Sequence, residues 1–368
     1  MQLSVITTGG TIASATRLDR AERAVEVDVA VSLAPLIDRK PPRYAPLPST
    51  PRIYQPIAEL SENLVPADYT RIINAIEQAI RDGAETIIVT HGTDTMAFTC
   101  CAAAFALGNV PVPVVFTGAM RPLGSPGADG PIHFWDAVTL CRDATVGGVF
   151  LLFNSAQGDS IAIWGPQARP MNGASGRIFE YLNDASIAYR IDPPNDRRGP
   201  KLRALHDPGR IIPRGDALNW TPRSSTFVPR VRLMRPYPGQ LASELDSTSA
   251  EHYDAVVLDL YHAGTACARL DAPAHDLAPA IAALASRGIV TFGCNAPANK
   301  GSTYASLIRL IDAGLISIPG LGTEAAYIKA MWLIGQSLRG EELVKAMKTE
   351  TCGEFAVVPH NARRLTIG

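Results

Sequence analysis

Short apolar runs alternate with amphipathic segments along most of the chain. The run Thr86–Thr90 is apolar at its centre, which is typical of a strand buried on both faces. The segment Pro66–Asp82 spaces its large apolar residues three and four apart, which predicts a helix with one buried face. The same reasoning predicts further strands at Ser4–Thr8, Val112–Thr117 and Gly148–Phe153, and helices after Thr95 and over Pro131–Arg142. This alternation predicts a mostly parallel sheet with helices on both faces.

The alternation is interrupted between about residues 185 and 230 and then resumes. Seven prolines lie between Ile191 and Arg230, among mixed acidic and basic residues. This composition favours a solvated connection over a basic nucleic-acid patch, because aspartates dilute the positive charge and aromatic residues are few. Strands are then predicted at Ala255–Leu260 and Ile289–Phe292, and helices at Leu277–Ser286, Thr303–Ala313 and Glu324–Gln336. We predict an α/β N-terminal domain over residues 1–190, a linker over 191–224 and a smaller C-terminal α/β domain over 225–368.

Composition excludes several classes of protein. The 368 residues are 46% hydrophobic and 19% charged, which is typical of a globular protein and argues against disorder. The net charge of −1 creates no overall field that would attract nucleic acid or an anionic membrane. The chain has neither a signal-like start nor an apolar run long enough to span a membrane, so we expect a cytoplasmic protein. None of the six cysteines forms a CxxC pair, which favours buried thiols over a metal site or disulfide framework.

Small and hydroxyl-bearing residues follow the first predicted strand. In sheets of this class ligands bind beyond the carboxyl ends of the strands, so these residues are candidates for chemistry. Gly9 and Gly10 allow a sharp turn whose N–H groups can face an anion, and Thr11 then presents a β-branched, conformationally restricted hydroxyl. A tight turn that simply requires small residues is the alternative interpretation. A phosphate-binding loop is disfavoured, because neither of the known glycine-rich phosphate patterns follows.

Two further predicted strands end in similar clusters. The strand Thr86–Thr90 is followed by His91-Gly92-Thr93-Asp94-Thr95, in which a hydroxyl and a carboxylate are adjacent. Asp94 could orient a substrate ammonium group or support proton transfer through Thr93, whereas the alternative is that either residue caps the next helix. The next strand is followed by Thr117-Gly118-Ala119-Met120-Arg121-Pro122, and later by Ala128-Asp129-Gly130. Three strand ends of this kind are hard to explain by turn formation alone.

As an ordered set, these motifs resemble those of the bacterial-type asparaginase and glutaminase family. The resemblance includes Ser61-Glu62-Asn63, which matches the substrate loop of that family. In the second half Gly293-Cys294-Asn295, Tyr304 and Thr323–Tyr327 are similar to the C-terminal domain of the cytoplasmic branch. The resemblance covers nearly the whole chain and is weak between about residues 160 and 230.

The resemblance implies a two-domain α/β enzyme that hydrolyses the side-chain amide of asparagine, and sometimes glutamine, through an acyl-enzyme and without a cofactor or metal. It implies a homodimer or homotetramer with active sites at the dimer interface, acting on a small amino-acid-like amide, with no nucleic-acid or membrane partner. It also assigns roles: Thr11 is the nucleophile, Thr93 and Asp94 form the second catalytic cluster, and Gly10, Ser61, Glu62, Gly92 and Ala119 contact the substrate.

Individual roles follow from the same match. Ser61 would hold the α-carboxylate of the substrate, and Asp94 and Glu62 would face its α-ammonium group. A small zwitterion requires this division, with carboxylates opposite the ammonium group and N–H or hydroxyl donors opposite the carboxylate. We expect N–H groups around Gly10 and Thr93 to stabilise the oxyanion.

Three positions depart from the family pattern. The family has a lysine about seventy residues after its second motif, whereas no lysine lies between Lys40 and Lys201 here. Arg169 is the nearest basic candidate, but arginine stays protonated and is a poor proton acceptor. The family also uses a tyrosine soon after the nucleophile, and the first tyrosine here is Tyr44. His133 stands where asparagine is usual, and a core or capping role suffices for it.

These departures leave alternatives open. The chain could be an ordinary asparaginase with other helper groups, a threonine-dependent hydrolase of another small amide or lactam, or a catalytically weak protein that binds a small ligand. The component of the tRNA-dependent amidotransferase that contains the same module is disfavoured, because it normally has a segment before the first motif and only seven residues precede Thr8 here.

Overall fold

The computed structural model describes residues 1–13, 15–18, 25–28, 33–47, 49–123, 125–154, 158–171, 178–183, 186–195, 198–205, 212–296 and 304–356. The chain divides into two compact units, of which the first comprises residues 1–181 and 186–225. Its strands are β1 (Leu3–Thr7), β2 (Ala15–Leu18), β3 (Val25–Asp28), β4 (Arg52–Tyr54), β5 (Thr86–Thr90), β6 (Pro113–Thr117), β7 (Gly148–Asn154), β8 (Ser160–Trp164), β9 (Ala168–Pro170), β10 (Phe179–Tyr181), β11 (Ala188–Asp192) and β12 (Lys201–Ala204). Its helices are α1 (Ala34–Asp38), α2 (Pro66–Arg81), α3 (Met96–Leu107) and α4 (Gly130–Asp143).

An eight-stranded sheet forms the centre of the first unit, in the order β12-β11-β8-β7-β6-β5-β1-β4. The strands β4, β1, β5, β6 and β7 are parallel, and β8, β11 and β12 continue the sheet in antiparallel fashion. Parallel strands require crossover helices, and the buried runs of β1, β5 and β6 show that both faces of the sheet are covered. Strands β9 and β10 form a separate antiparallel pair, as do β2 and β3.

Two helices beside this sheet differ in how they are buried. Helix α2 begins at Pro66, whose missing N–H costs nothing in a first turn, and buries one stripe that includes Ile72, Ile73 and Ile76. Helix α3 is buried on nearly every side, and its Cys100 and Cys101 lie in the core as free thiols. The six cysteines are all free, and only Cys267 is not buried.

The second unit comprises residues 182–185 and 226–368. Its parallel sheet has the order β13-β14-β15-β16, with β13 (Val231–Met234), β14 (Ala255–Asp259), β15 (Val290–Cys294) and β16 (Leu315–Ser317). Its helices are α5 (Ala242–Asp246), α6 (Leu277–Ser286), α7 (Ala305–Asp312), α8 (Thr323–Gly335) and α9 (Gly340–Lys348). The predicted fold class is therefore confirmed: a large, mostly parallel sheet with helices and a second, smaller α/β unit.

The structure differs from the predicted linker over residues 191–224. Strand β11 includes Ile191, and β12 pairs with it through Ile191 and Leu202. Both strands extend the large sheet, so the segment Ser186–Ser225 belongs to the first unit. Three of the prolines that suggested a connection, Pro193, Pro194 and Pro200, lie between β11 and β12.

Candidate functional site

The three motif turns lie side by side because their strands are neighbours. Strand β5 pairs in parallel with both β1 and β6, in a register that aligns Thr7, Thr90 and Thr117. The residues that follow these strand ends are tied together by backbone hydrogen bonds: Thr8 N–H donates to Thr90 O at 3.1 Å, and His91 N–H donates to Thr117 O at 2.9 Å. The sheet therefore brings the three sequence motifs to one edge.

Gly10 holds the first turn directly on the second. Its φ of +75° lies in the left-handed region, and a methyl group on it would lie 2.5 Å from the backbone nitrogen of Gly92. A side chain at this position would therefore force the two turns apart. Thr11 follows immediately, begins a short 3₁₀ turn that ends at Ala13, and is partly exposed.

Gly118 brings the third turn equally close. A methyl group on Gly118 would lie 2.6 Å from His91 O and 3.3 Å from the Cγ2 methyl of Thr93. A methyl group on Gly130, the first residue of α4, would lie 3.1 Å from Ile12 and 3.4 Å from Ala119. The first and third turns are thus packed against the same glycine.

The Ser61 turn packs on the second motif. A methyl group on Gly92 would lie 2.5 Å from the hydroxyl oxygen of Ser61, so Ser61 and Gly92 are in direct contact. The Thr95 hydroxyl donates to Ser61 O at 2.8 Å and fixes this turn. Ser61 is buried, whereas the neighbouring Glu62 is exposed.

Thr93 and Asp94 do not cap the helix that follows them. Helix α3 begins at Met96, its N-cap residue is Thr95, and no side-chain cap hydrogen bond is present. Thr93 is partly exposed and Asp94 is exposed. The capping interpretation is therefore not realised, and both side chains remain available to a ligand.

Asp129 stabilises the third turn. Its carboxylate accepts hydrogen bonds from Met120 N–H at 3.0 Å and Arg121 N–H at 2.9 Å. Charge-assisted bonds of this kind are among the stronger ones in proteins, so the backbone after Ala119 is well determined. The sequence motif contained Asp129, but nothing in it indicated that this aspartate binds the turn.

Two buried histidines lie beside these turns. His91 Nδ1 lies 2.7 Å from Gly92 O, and His133 Nδ1 lies 2.8 Å from Gly118 O. A carbonyl oxygen only accepts, so each Nδ1 carries the proton and donates. Burial lowers the pKa of His91 to about 4. Burial also lowers the pKa of His133, against the opposing effect of the Asp129 carboxylate, so both rings are neutral at pH 7.

Arg169 does not supply a free charge in place of the missing lysine. It lies on β9, and its guanidinium forms an ion pair with Glu180 on β10, with Nε 2.7 Å from the carboxylate oxygen. This antiparallel pairing places Arg169 and Glu180 directly opposite each other. The charge of Arg169 is thus already compensated by Glu180 on the paired strand.

Tyr44 is buried in a polar network and not available as a tyrosine of a flexible loop. Its hydroxyl donates to Asp136 on α4 at 2.7 Å, and the Ser160 hydroxyl donates to the other oxygen of Asp136 at 2.6 Å. Burial raises the pKa of Asp136 to about 6, although both hydroxyl groups oppose this. Burial likewise raises the pKa of Tyr44, with the Asp136 carboxylate adding to the effect.

The structure thus brings together Gly10, Ser61, Gly92, Thr93 and Ala119, with Thr11 adjoining Gly10 and Asp94 adjoining Thr93. Sequence reasoning missed the supporting roles of Thr95, Asp129 and Asp136. Thr95 and Asp129 lie within the motifs and Asp136 lies outside them, but no local sequence pattern shows which group each of these side chains binds. Among the described residues, no group of histidine, cysteine and acidic side chains is arranged to hold a metal ion.

The chain is similar to known proteins over most of its length. The protein-family sequence model described as asparaginase, N-terminal, matches residues 2–192. An L-asparaginase from Thermococcus kodakarensis is 29% identical over 358 residues, which cover 96% of this chain and 99% of the relative. The solved structure of the thermostable L-asparaginase from Thermococcus kodakarensis superposes with a TM-score of 0.76 at 25% identity, over 96% of this chain and 99% of that one.

Other relatives are components of an amidotransferase. A glutamyl-tRNA(Gln) amidotransferase subunit from Metallosphaera sedula is 28% identical over 301 residues, which cover 80% of this chain. The chain spans 65% of the length of that relative. In the part of the chain that the structure describes, none of the helices combines the length and hydrophobicity needed to cross a bilayer.

Proposed function

Because the chain belongs to the asparaginase family of amidohydrolases, we propose that it hydrolyses the side-chain amide of asparagine to aspartate and ammonia through an acyl-enzyme on Thr11. We place the reaction in the cytoplasm, in a homodimer or homotetramer whose active sites lie at the dimer interface.

The contact between the three motif turns is the observation that carries this proposal. Gly10 lies against the Gly92 backbone, and Gly118 lies against His91 O and the Thr93 methyl group. A nucleophilic hydroxyl, a second hydroxyl with an adjacent carboxylate, and several N–H groups then surround one small region. Fixed geometry of this kind lowers the entropic cost of bringing reacting groups together.

The first half of the reaction forms the acyl-enzyme. The Thr11 oxygen attacks the amide carbon, and its proton passes through the Thr93 hydroxyl to the Asp94 carboxylate. The carbonyl oxygen becomes an oxyanion, which N–H groups around Thr93 and Gly10 stabilise. The carbon–nitrogen bond then breaks, and the leaving nitrogen takes the proton from the Asp94 carboxyl group and departs as ammonia, which returns Asp94 to the carboxylate form.

The second half reverses the chemistry with water. Water attacks the ester carbon and gives its proton to the same carboxylate, the carbon–oxygen bond to Thr11 breaks, and Thr11 recovers its proton. Ser61 binds the substrate α-carboxylate, and Glu62 and Asp94 face the α-ammonium group. Gly92 and Ala119 complete the substrate-binding surface.

Asp94 takes over the role of proton acceptor that the missing lysine would otherwise share. Asp94 is exposed and follows Thr93 in the chain, whereas Arg169 is paired with Glu180 and cannot accept a proton. This assignment needs no further base among the described residues.

Glutamine is the second candidate substrate. The relatives named as glutamyl-tRNA(Gln) amidotransferase components favour it, since seven of them are 26–28% identical over at least 80% of this chain. In that case Thr11 would release ammonia from glutamine for use by a partner protein. The site residues and the acyl-enzyme chemistry would be the same.

Ammonia release tests both candidates. Wild type, Thr11→Ala and the matched control Thr11→Ser would be assayed with L-asparagine, D-asparagine, L-glutamine, small amides and lactams. We expect release from L-asparagine that disappears in Thr11→Ala and partly survives in Thr11→Ser, because serine retains the nucleophilic oxygen. Release from another amide alone would overturn the asparagine assignment. If no substrate gave Thr11-dependent release, the hydrolase proposal itself would fail.

A further inference from the structure

The two buried histidines beside the site share one geometry. His91 and His133 are both fully buried, and each donates its Nδ1–H to the carbonyl of a glycine that borders the site. The acceptors are Gly92 O at 2.7 Å and Gly118 O at 2.8 Å. The same arrangement therefore occurs at the ends of two adjacent strands, β5 and β6.

A fixed carbonyl also fixes the N–H of the next residue. The peptide unit is planar, and in a trans peptide the C=O and the following N–H point in opposite directions. No cis peptide bond is present in the described chain. If His91 holds Gly92 O on the buried side, Thr93 N–H must point away from the ring. In the same way, His133 directs Ala119 N–H away from the core.

Both N–H groups are available to a ligand. Among the residues that the structure describes, neither Thr93 N–H nor Ala119 N–H donates to a backbone or side-chain acceptor. By contrast, the next N–H groups along the third turn, on Met120 and Arg121, are bound to Asp129. In the third turn, the N–H groups of Met120 and Arg121 therefore hold the turn together, whereas Ala119 N–H can donate to a ligand.

We propose that His91 and His133 are positioning residues, which orient Thr93 N–H toward the oxyanion and Ala119 N–H toward the bound substrate. This inference rests on the proposed amide hydrolysis for its catalytic meaning. Neither imidazole touches the substrate, because each is buried behind the peptide that it orients. Each ring thereby acts indirectly, because it fixes the peptide whose N–H group faces the reacting atoms or the substrate.

Leucine and asparagine variants separate this role from simple packing. Leucine fills space but donates nothing. The Nδ2 donor of asparagine is the same number of bonds from the backbone as Nδ1 of histidine, so asparagine can restore the hydrogen bond. Thr139→Val is the matched control, since Thr139 lies on the same helix as His133, is buried, and donates its hydroxyl hydrogen to Trp135 O within that helix.

Replacing the two histidines should change different kinetic constants. We expect His91→Leu to lower kcat about 10- to 100-fold with little change in KM, because an oxyanion donor acts in the transition state. His133→Leu should raise KM about 10-fold with little change in kcat, because a donor to bound substrate stabilises ground state and transition state alike. Each asparagine variant should recover most of the loss, and Thr139→Val should behave as wild type. Equal losses in the leucine and asparagine variants would overturn the inference.

A second readout does not depend on activity. In wild type labelled with ¹⁵N-threonine or ¹⁵N-alanine, the amide resonances of Thr93 and Ala119 report the orientation of the two peptides. We expect the Thr93 resonance to shift in His91→Leu and to return in His91→Asn, and the Ala119 resonance to do the same in the His133 variants. Unshifted resonances in the folded leucine variants would refute the positioning role. If these shifts are present but wild type releases no more ammonia than Thr11→Ala, only the proposed function is refuted, and the positioning of the two peptides stands.

Discussion

The first unit combines hydroxyl-bearing residues with an aspartate both in the Thr93–Asp94 turn and around Asp136, and the surroundings of the two regions differ. At the end of β5, Thr93 and Asp94 are partly or fully exposed. Inside the unit, Asp136 is buried and accepts hydrogen bonds from Tyr44 and Ser160. The same functional groups thus occur once in an open arrangement and once in a closed one.

Burial and saturation decide what each cluster can do. Both oxygens of Asp136 already accept a hydrogen bond from a hydroxyl group, so that carboxylate has little capacity left for a substrate. Its pKa is raised to about 6, which makes it a determinant of stability that depends on pH. Asp94 is free of such partners in the described structure and faces solvent. Residue type alone therefore does not identify a catalytic carboxylate.

Replacing Asp94 should lower activity more than any other change considered below. A small effect would mean that the exposed Asp94 is no more catalytic than the buried Asp136. We expect Asp94→Asn to lower kcat about 100-fold or more, because the amide cannot accept the proton that Thr93 passes on. Thermal stability should change little, since the side chain is exposed. Steady-state ammonia release and a melting curve would test this, and normal turnover with lost stability would assign Asp94 to structure instead.

Replacing Asp136 should alter stability as a function of pH. The folded-state pKa of Asp136 is raised to about 6 by burial, so its contribution is most favourable at pH values below the unfolded-state pKa and is lost as the pH rises through 6. We expect wild type to lose about 1–2 kcal/mol relative to Asp136→Asn between about pH 5 and pH 8. Chemical denaturation of both proteins at the two pH values measures this difference. A constant difference would show that Asp136 does not titrate in this range.

Replacing Tyr44 should have the smallest overall effect of the three replacements. It tests whether the buried network around Asp136 is purely structural. We expect Tyr44→Phe to reduce the free energy of unfolding by about 1 kcal/mol, because one hydrogen bond to a buried carboxylate is lost. Its kcat should stay within about twofold of wild type if Tyr44 takes no part in the chemistry. Urea denaturation and ammonia release would be measured side by side. A large fall in kcat at nearly unchanged stability would place Tyr44 in the reaction after all.

Much of the fold could be predicted from the sequence, because it depends on local patterns. The apolar run that predicted a strand at Thr86–Thr90 corresponds to β5, and the spacing that predicted a helix from Pro66 corresponds to α2. The antiparallel extension by β11 and β12 was missed, since its prolines and charges obscure the alternation of buried and exposed positions.

The motif turns could be predicted to converge, because the carboxyl ends of neighbouring parallel strands share one edge. The buried network could not, since Tyr44 and Asp136 are 92 residues apart and no local pattern links them. The histidine contacts were equally hidden, because a hydrogen bond to a glycine carbonyl leaves no signature in the sequence. The sequence also left both capping and catalysis open for Thr93 and Asp94, and only the N-cap at Thr95 excluded the first.

The central claim is that Thr11 carries the acyl group, and peptide mapping after rapid acid quench tests it most directly. Wild type and Thr11→Ala would be mixed with L-asparagine, quenched during turnover, digested and examined by mass spectrometry. We predict an acyl adduct on the peptide that contains Thr11 in wild type, and no adduct in Thr11→Ala. An adduct on a different side chain, or an unchanged adduct in Thr11→Ala, would contradict the account.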